Sequence, residues 1–179
     1  MELIKTNDMK VLFTEDVIRE KVKEIADILN KEYLNQEVYL ICVLKGSIVF
    51  TADLMRYLKL PVKLECIRLA SYGASTVSSG KVKAVDITLP DLNNKNVIIV
   101  EDIVDTGRTA QFFVNFIRAN FRTKSTKFLS LLDKKCRREV DIDPDIVGFE
   151  IDDKFVVGYG LDYNGDYRNL PFVGYIETV

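Results

Sequence analysis

Val97-Ile-Ile-Val-Glu-Asp-Ile-Val-Asp-Thr-Gly-Arg-Thr-Ala110 places four aliphatic residues before two adjacent carboxylates, two more aliphatics, a third carboxylate and a Thr-Gly turn. The apolar run 97–100 reads as a buried parallel strand, and the residues after Gly107 read as the start of a helix. Strand, turn and helix in that order are the repeating unit of an α/β sheet, where ligands collect beyond the carboxyl ends of the strands. Glu101 and Asp102 are then expected to emerge at that edge, with Asp105, Thr106, Gly107, Arg108 and Thr109 forming the turn. Its backbone N–H groups, the helix dipole and the two threonine hydroxyls make a cradle for one phosphate. Acids beside a phosphate repel it unless something neutral or cationic intervenes. Vicinal ribose hydroxyls or a hydrated Mg2+ meet that need, so a sugar phosphate fits the stretch. The plainer reading, two loop acids and a helix cap at Asp105, accounts for any one of these residues better than for three at the end of one strand.

Outward from this stretch the chain keeps alternating. Residues 38–44 are a continuous apolar run, 62–69 and 127–132 are further strand candidates, and 48–58 and 109–120 carry helical spacing. Residues 16–30 place Val17, Val22, Ile25, Ile28 and Leu29 near helical spacing behind a possible Thr14 cap. The pattern predicts an α/β fold with a central, mostly parallel sheet flanked by helices. The last third changes character: Phe149-Glu-Ile151, Phe155-Val-Val157 and Val173-Gly-Tyr-Ile176 are short, aromatic-rich strands between Asp, Gly and Pro turns. They suggest a small antiparallel hood over about 145–179, together with the N-terminal segment. The Ser/Gly-rich residues 71–80 interrupt the α/β pattern and read as a loop over a site, a plain solvent loop being the commoner case.

With 179 residues, 47% of them hydrophobic, the chain suits one domain over 1–179 with a sizeable core. A net charge of −2 does not favour a polyanion, so no nucleic-acid partner is expected. No apolar run approaches the roughly 20 residues of a membrane span, and the N-terminus lacks the apolar core of a signal peptide; no membrane association and a cytoplasmic location are expected. Cys42, Cys66 and Cys136 are odd in number and far apart, as reduced thiols are. The chain has no histidine. Ser-His, Cys-His and His-zinc chemistry are excluded, and any acid–base group must be a carboxylate, lysine, tyrosine or cysteine. The GxxxxGK[ST] loop and a GxGxxG turn are both absent.

The 97–110 stretch resembles the 5-phosphoribosyl-1-pyrophosphate (PRPP) signature of the type I phosphoribosyltransferases. The rest of the chain is similar to the branch that acts on hypoxanthine and guanine. The carrying residues are Leu44-Lys-Gly-Ser47, Ser71-Tyr-Gly73, Leu131-Leu-Asp-Lys134 and Asp153-Lys-Phe-Val-Val-Gly-Tyr-Gly-Leu-Asp-Tyr163, with Arg168 beyond. The resemblance implies that a purine attacks C1′ of PRPP, giving a nucleoside monophosphate and pyrophosphate. It implies that Glu101 and Asp102 hold the ribose hydroxyls and, through them, a hydrated Mg2+, and that Asp162, near the base, ligates a second Mg2+. Asp105 matches the acceptor of the purine N7 proton, and Thr106 to Thr109 hold the 5′-phosphate. Lys45, Gly46 and Arg168 match pyrophosphate contacts, and the Leu44–Lys45 peptide is one that is cis in some relatives. Lys134 matches the donor to the 6-oxo group, Phe155 the aromatic stacked on the purine, and Val156 a source of backbone contacts to its edge. Ser71 and Tyr72 match a flexible loop over about 71–84 that closes on the reacting centre. Dimers or tetramers are usual in the family.

Taken alone, several of these residues have blander readings. Lys45 is a solvated lysine, Arg168 a surface ion pair, Phe155-Val-Val157 core, and Lys134-Lys-Cys-Arg-Arg138 a solvated basic run. Two other functions share parts of the pattern. An RNA-binding regulator on the same fold keeps the phosphate turn but needs a basic face. A phosphoacceptor receiver domain gathers acids and a lysine around Mg2+ but places its acid pair after an early strand.

Overall fold

The computed structural model describes residues 9–71 and 82–176. Strand β1 (Met9–Phe13) leads into helix α1 (Glu15–Glu32), followed by β2 (Val38–Leu44), α2 (Ile48–Tyr57), β3 (Val62–Ser71), β4 (Val82–Asp86), β5 (Asn96–Val104), α3 (Arg108–Asn120), β6 (Ser125–Asp133), β7 (Ile146–Glu150), β8 (Phe155–Val157) and β9 (Val173–Ile176). A six-stranded sheet has the order β4-β3-β2-β5-β6-β7; all its neighbours are parallel except β4, which runs antiparallel to β3. A second, antiparallel sheet has the order β1-β9-β8.

The sheet forms because β2, β5 and β6 are apolar on both faces, as a strand covered on both sides must be. Val38, Leu40, Ile98 and Val100 pack under α1 and α2, while Tyr39, Ile41, Val97 and Ile99 pack against α3. Thr14 caps α1 by accepting a hydrogen bond from the Val17 N–H, as expected. The buried stripe of α1 differs from the expected one: it is Ile18, Val22, Ile25, Ala26 and Leu29, and Val17 and Ile28 are about half exposed. Spacing 18-22-25-29 follows one face over three turns, and residues 17 and 28 fall off its margins.

Two expected boundaries change. Phe149 belongs to β7, which joins the main sheet parallel to β6, with Leu132 opposite Phe149; the hood sheet therefore draws on β1, β8 and β9 and not on 146–150. The loop expected over 71–84 is bounded by strand on both sides: Ser71 ends β3 and residues 82–84 lie in β4. Tyr72 lies outside the described residues. No helix among the described residues is long and apolar enough to cross a membrane.

Candidate active site

Strand β5 carries the acids. It runs to Val104, so Glu101 and Asp102 lie within the strand and not beyond its edge as expected. Their carboxyl groups stay close enough to interact with one another. Glu101 is buried and lines a small cavity of about 90 Å3 with Asp105, Thr106, Gly107 and Thr109. Asp102 reaches the loop after β2, where a Cβ built on Gly46 would lie 1.6 Å from Asp102 Oδ2. Burial and the neighbouring Asp102 push the Glu101 carboxyl well above the usual range, and burial lifts Asp102 to about 6. The surface of Asp102 is partly open, but its carboxyl end is the part pressed onto Gly46.

The turn after β5 is held from two sides. Gly107 has φ +80°, which favours glycine, and it accepts the first helical hydrogen bond, from Gln111 N–H. On the far side, Lys134 N–H donates to Val104 O and Glu139 N–H donates to Thr106 O. The Arg108 side chain points away, pairing with Glu139 at 2.5 Å, so only its backbone faces the turn.

The other expected residues converge on the same end of the sheet. The Leu44–Lys45 peptide is cis. Lys45 is exposed, Gly46 is buried, and a Cβ on Gly160 would lie 2.0 Å from Gly46 O, so the hood turn rests on this loop. Arg168 Nη1 donates to Gly160 O at 2.6 Å and its Nη2 pairs with Asp162 Oδ1 at 2.6 Å; Asp162 Oδ2 accepts from Gly165 N–H. Lys134 is buried at the end of β6, with Nζ 3.9 Å from Asp153 Oδ1. Phe155 is 41% exposed and meets Tyr163 edge-on, leaving ring surface open, while Val156 is core. Ser71 ends β3 at the carboxyl end of the parallel strands. Glu101, Asp102 and Asp162 form no common metal centre, and no group of three or more acid or cysteine side chains among the described residues is placed to hold a metal.

A family model for the phosphoribosyl transferase domain matches residues 12–164. The chain belongs to the phosphoribosyltransferase family. It is 42% identical over 175 residues to the hypoxanthine-guanine phosphoribosyltransferase of Bacillus subtilis, covering 98% of this chain and 97% of that one. Among solved structures, it resembles a hypoxanthine-guanine phosphoribosyltransferase from Bacillus anthracis at TM-score 0.87 and 43% identity, over 93% and 98% of the two chains. It also resembles a hypoxanthine phosphoribosyltransferase from Staphylococcus aureus at TM-score 0.91 and 36% identity, over 99% and 96%.

In this phosphoribosyltransferase two arginines of the 134–138 run face the site, Arg138 largely buried and Arg137 exposed. Arg138 pairs with fully buried Asp133, donates to Asp105 O at 2.8 Å, and lies against Gly107. Arg137 Nε stands 3.2 Å from Asp105 Oδ1 and its Nη1 is 3.4 Å from Asp153 Oδ1. A short 3-10 turn, Lys135–Arg137, aims both at the site. The available sequence signal was weak: a run of four basic residues in five looks like surface whichever way it folds.

Proposed function

We propose that the chain transfers the phosphoribosyl group of PRPP to hypoxanthine or guanine, releasing pyrophosphate, as an enzyme of purine salvage. The observation that carries this is the placement of two adjoining acids, Glu101 and Asp102, between two backbone loops. One lies beside a phosphate-sized turn and the other against the Lys45–Gly46 loop. A ribose held between them has its 5′-phosphate on the Thr106–Thr109 amides and its pyrophosphate toward Gly46 and Arg168.

Two buried neighbouring acids with raised affinity for protons fit a cation, since positive charge relieves the repulsion that protons otherwise relieve. Mg2+ entering with PRPP would be held there through the ribose hydroxyls, with Asp162 serving a second ion, and supplies neutralisation of the leaving pyrophosphate. The protein's own groups do the rest. Asp105 has a buried Oδ1 without a hydrogen-bond partner, and Arg137 beside it lacks hydrogen-bond geometry. The Asp105 carboxylate, with no hydrogen bond committed at Oδ1, accepts the N7 proton as the base bonds to C1′. Lys134 donates to the 6-oxo group, a position where adenine offers a donor and is rejected. Phe155 stacks on the base, with backbone groups of Val156 at its edge.

Pyrophosphate release is measured from PRPP and Mg2+ with hypoxanthine, guanine, xanthine, adenine, uracil and orotate, each alone. Turnover is expected with 6-oxopurines only. Turnover with adenine or a pyrimidine would overturn the Lys134 assignment, and no turnover with any base would overturn the function.

A further inference from the structure

Arg168 lines a cavity of about 310 Å3 that is also bounded by Val49, Asp53, Tyr57, Tyr159 and Leu170. Close packing therefore does not fix the arginine; its polar contacts do. One of them is the carbonyl of Gly160, and the conformation of that residue is unusual. Gly158, Tyr159 and Gly160 all have positive φ, at +93°, +51° and +101°. Two glycines adopt this readily; a tyrosine between them does so only when its surroundings hold it.

The holding contacts are specific. The Tyr159 hydroxyl, on a side chain only 5% exposed, donates to Asp53 Oδ2 at 2.8 Å. Asp53 sits on α2, which starts directly after the Lys45–Gly46 loop. The backbone closes the circuit: Tyr159 N–H donates to Leu170 O, Gly160 N–H to Arg168 O, and Arg168 Nη1 back to Gly160 O. The left-handed turn is thus gripped at one end by α2 and lies with the other against Gly46 O, while carrying Arg168.

We infer that the Asp53–Tyr159 pair is a latch that sets the spacing between the Gly46 loop and Arg168, making both latch members positioning residues for pyrophosphate. The inference rests on the reading that pyrophosphate binds between those groups. Neither member touches the base, the ribose acids or the phosphate turn, so the latch acts on one substrate group alone.

The test runs the reaction in reverse, from IMP and pyrophosphate, and compares the KM of each. Tyr159→Phe removes only the hydroxyl; Asp53→Ala removes the acceptor; Asp53→Asn keeps an oxygen acceptor. Tyr159→Phe and Asp53→Ala are expected to raise the KM for pyrophosphate about threefold to tenfold, the range one hydrogen bond commands, with the KM for IMP unchanged. Asp53→Asn should restore most of it, the double variant Asp53→Ala/Tyr159→Phe should be no worse than either single, and Arg56→Ala, which breaks only the exposed Asp53 ion pair, should match the parent. An unchanged pyrophosphate KM in Tyr159→Phe, or a parallel rise in both KM values with a lowered Tm, would overturn the latch. Absence of turnover in the unaltered protein would instead overturn the functional reading beneath it.

Discussion

At the scale of single residues, Asp105 is gripped through its main chain, while its carboxylate is ion-paired with Arg137 and makes no hydrogen bond at Oδ1. Arg138 takes its carbonyl and is itself neutralised by buried Asp133. Asp105→Asn keeps this shape and removes the proton acceptor. It is expected to lower kcat by a factor in the general-base range of about 10²–10⁴ while leaving the KM for PRPP nearly unchanged; equal kcat in the two proteins would remove Asp105 from proton transfer. The acids were legible in the sequence because an apolar strand ending in three carboxylates and a Thr-Gly turn has few uses. Arg137 and Arg138 were not, because their direction depends on the Glu139 to Thr106 hydrogen bond between segments 33 residues apart. No local pattern encodes such a contact. The bland reading of Lys134 failed for the same reason, since its burial comes from other elements, whereas Lys45 is exposed and Arg168 is ion-paired with Asp162.

At the scale of elements, continuous apolar runs located β2, β5 and β6, and helical spacing located the three α-helices among the described residues, since each buries its apolar residues in a single block. Strand β7 was assigned to the wrong sheet. Ile146–Glu150 is short and only partly buried, and nothing in five residues declares whether a neighbour runs parallel or antiparallel. Its glycine did carry a signal, because glycine inside a strand often marks close backbone approach. A Cβ on Gly148 would lie 2.5 Å from Leu131 O. Gly148→Ala must therefore push β7 from β6, and overpacking of this kind costs about 1–3 kcal/mol. A urea titration should show the midpoint falling with the slope unchanged; a midpoint equal to the parent's would mean that β7 is not seated against β6. Because Gly148 lies outside the substrate-binding contacts, the KM values should not move.

At the scale of the whole molecule, the parallel sheet brings the ends of β2, β5 and β6 to one edge, and the hood turn closes on them through Gly46 and Gly160. That convergence buries Glu101 and the Asp102 carboxyl with no ion pair to either among the described residues, Arg168 acting on Asp102 only through its field, which sets stability against function. The sign follows from the shifts. In the unfolded chain both acids ionise near their ordinary values of 4.5 and 3.8, whereas the folded chain holds its protons to about 6 at Asp102 and well above 4.5 at Glu101. Across that window the unfolded state binds fewer protons, so stability falls as pH rises and the full penalty is present above the folded values. Glu101→Gln removes one charge at nearly constant shape. Without substrate or metal, its Tm should exceed the parent's at pH 8, and the gain should shrink toward pH 4.5, where the parent pair is protonated. PRPP with Mg2+ should then raise the Tm of the parent more than that of the variant, because binding stabilises in proportion to affinity. A Tm difference that is the same at both pH values would show that the buried pair carries no ionisation penalty. Equal ligand-induced shifts would show that Glu101 does not hold the ribose.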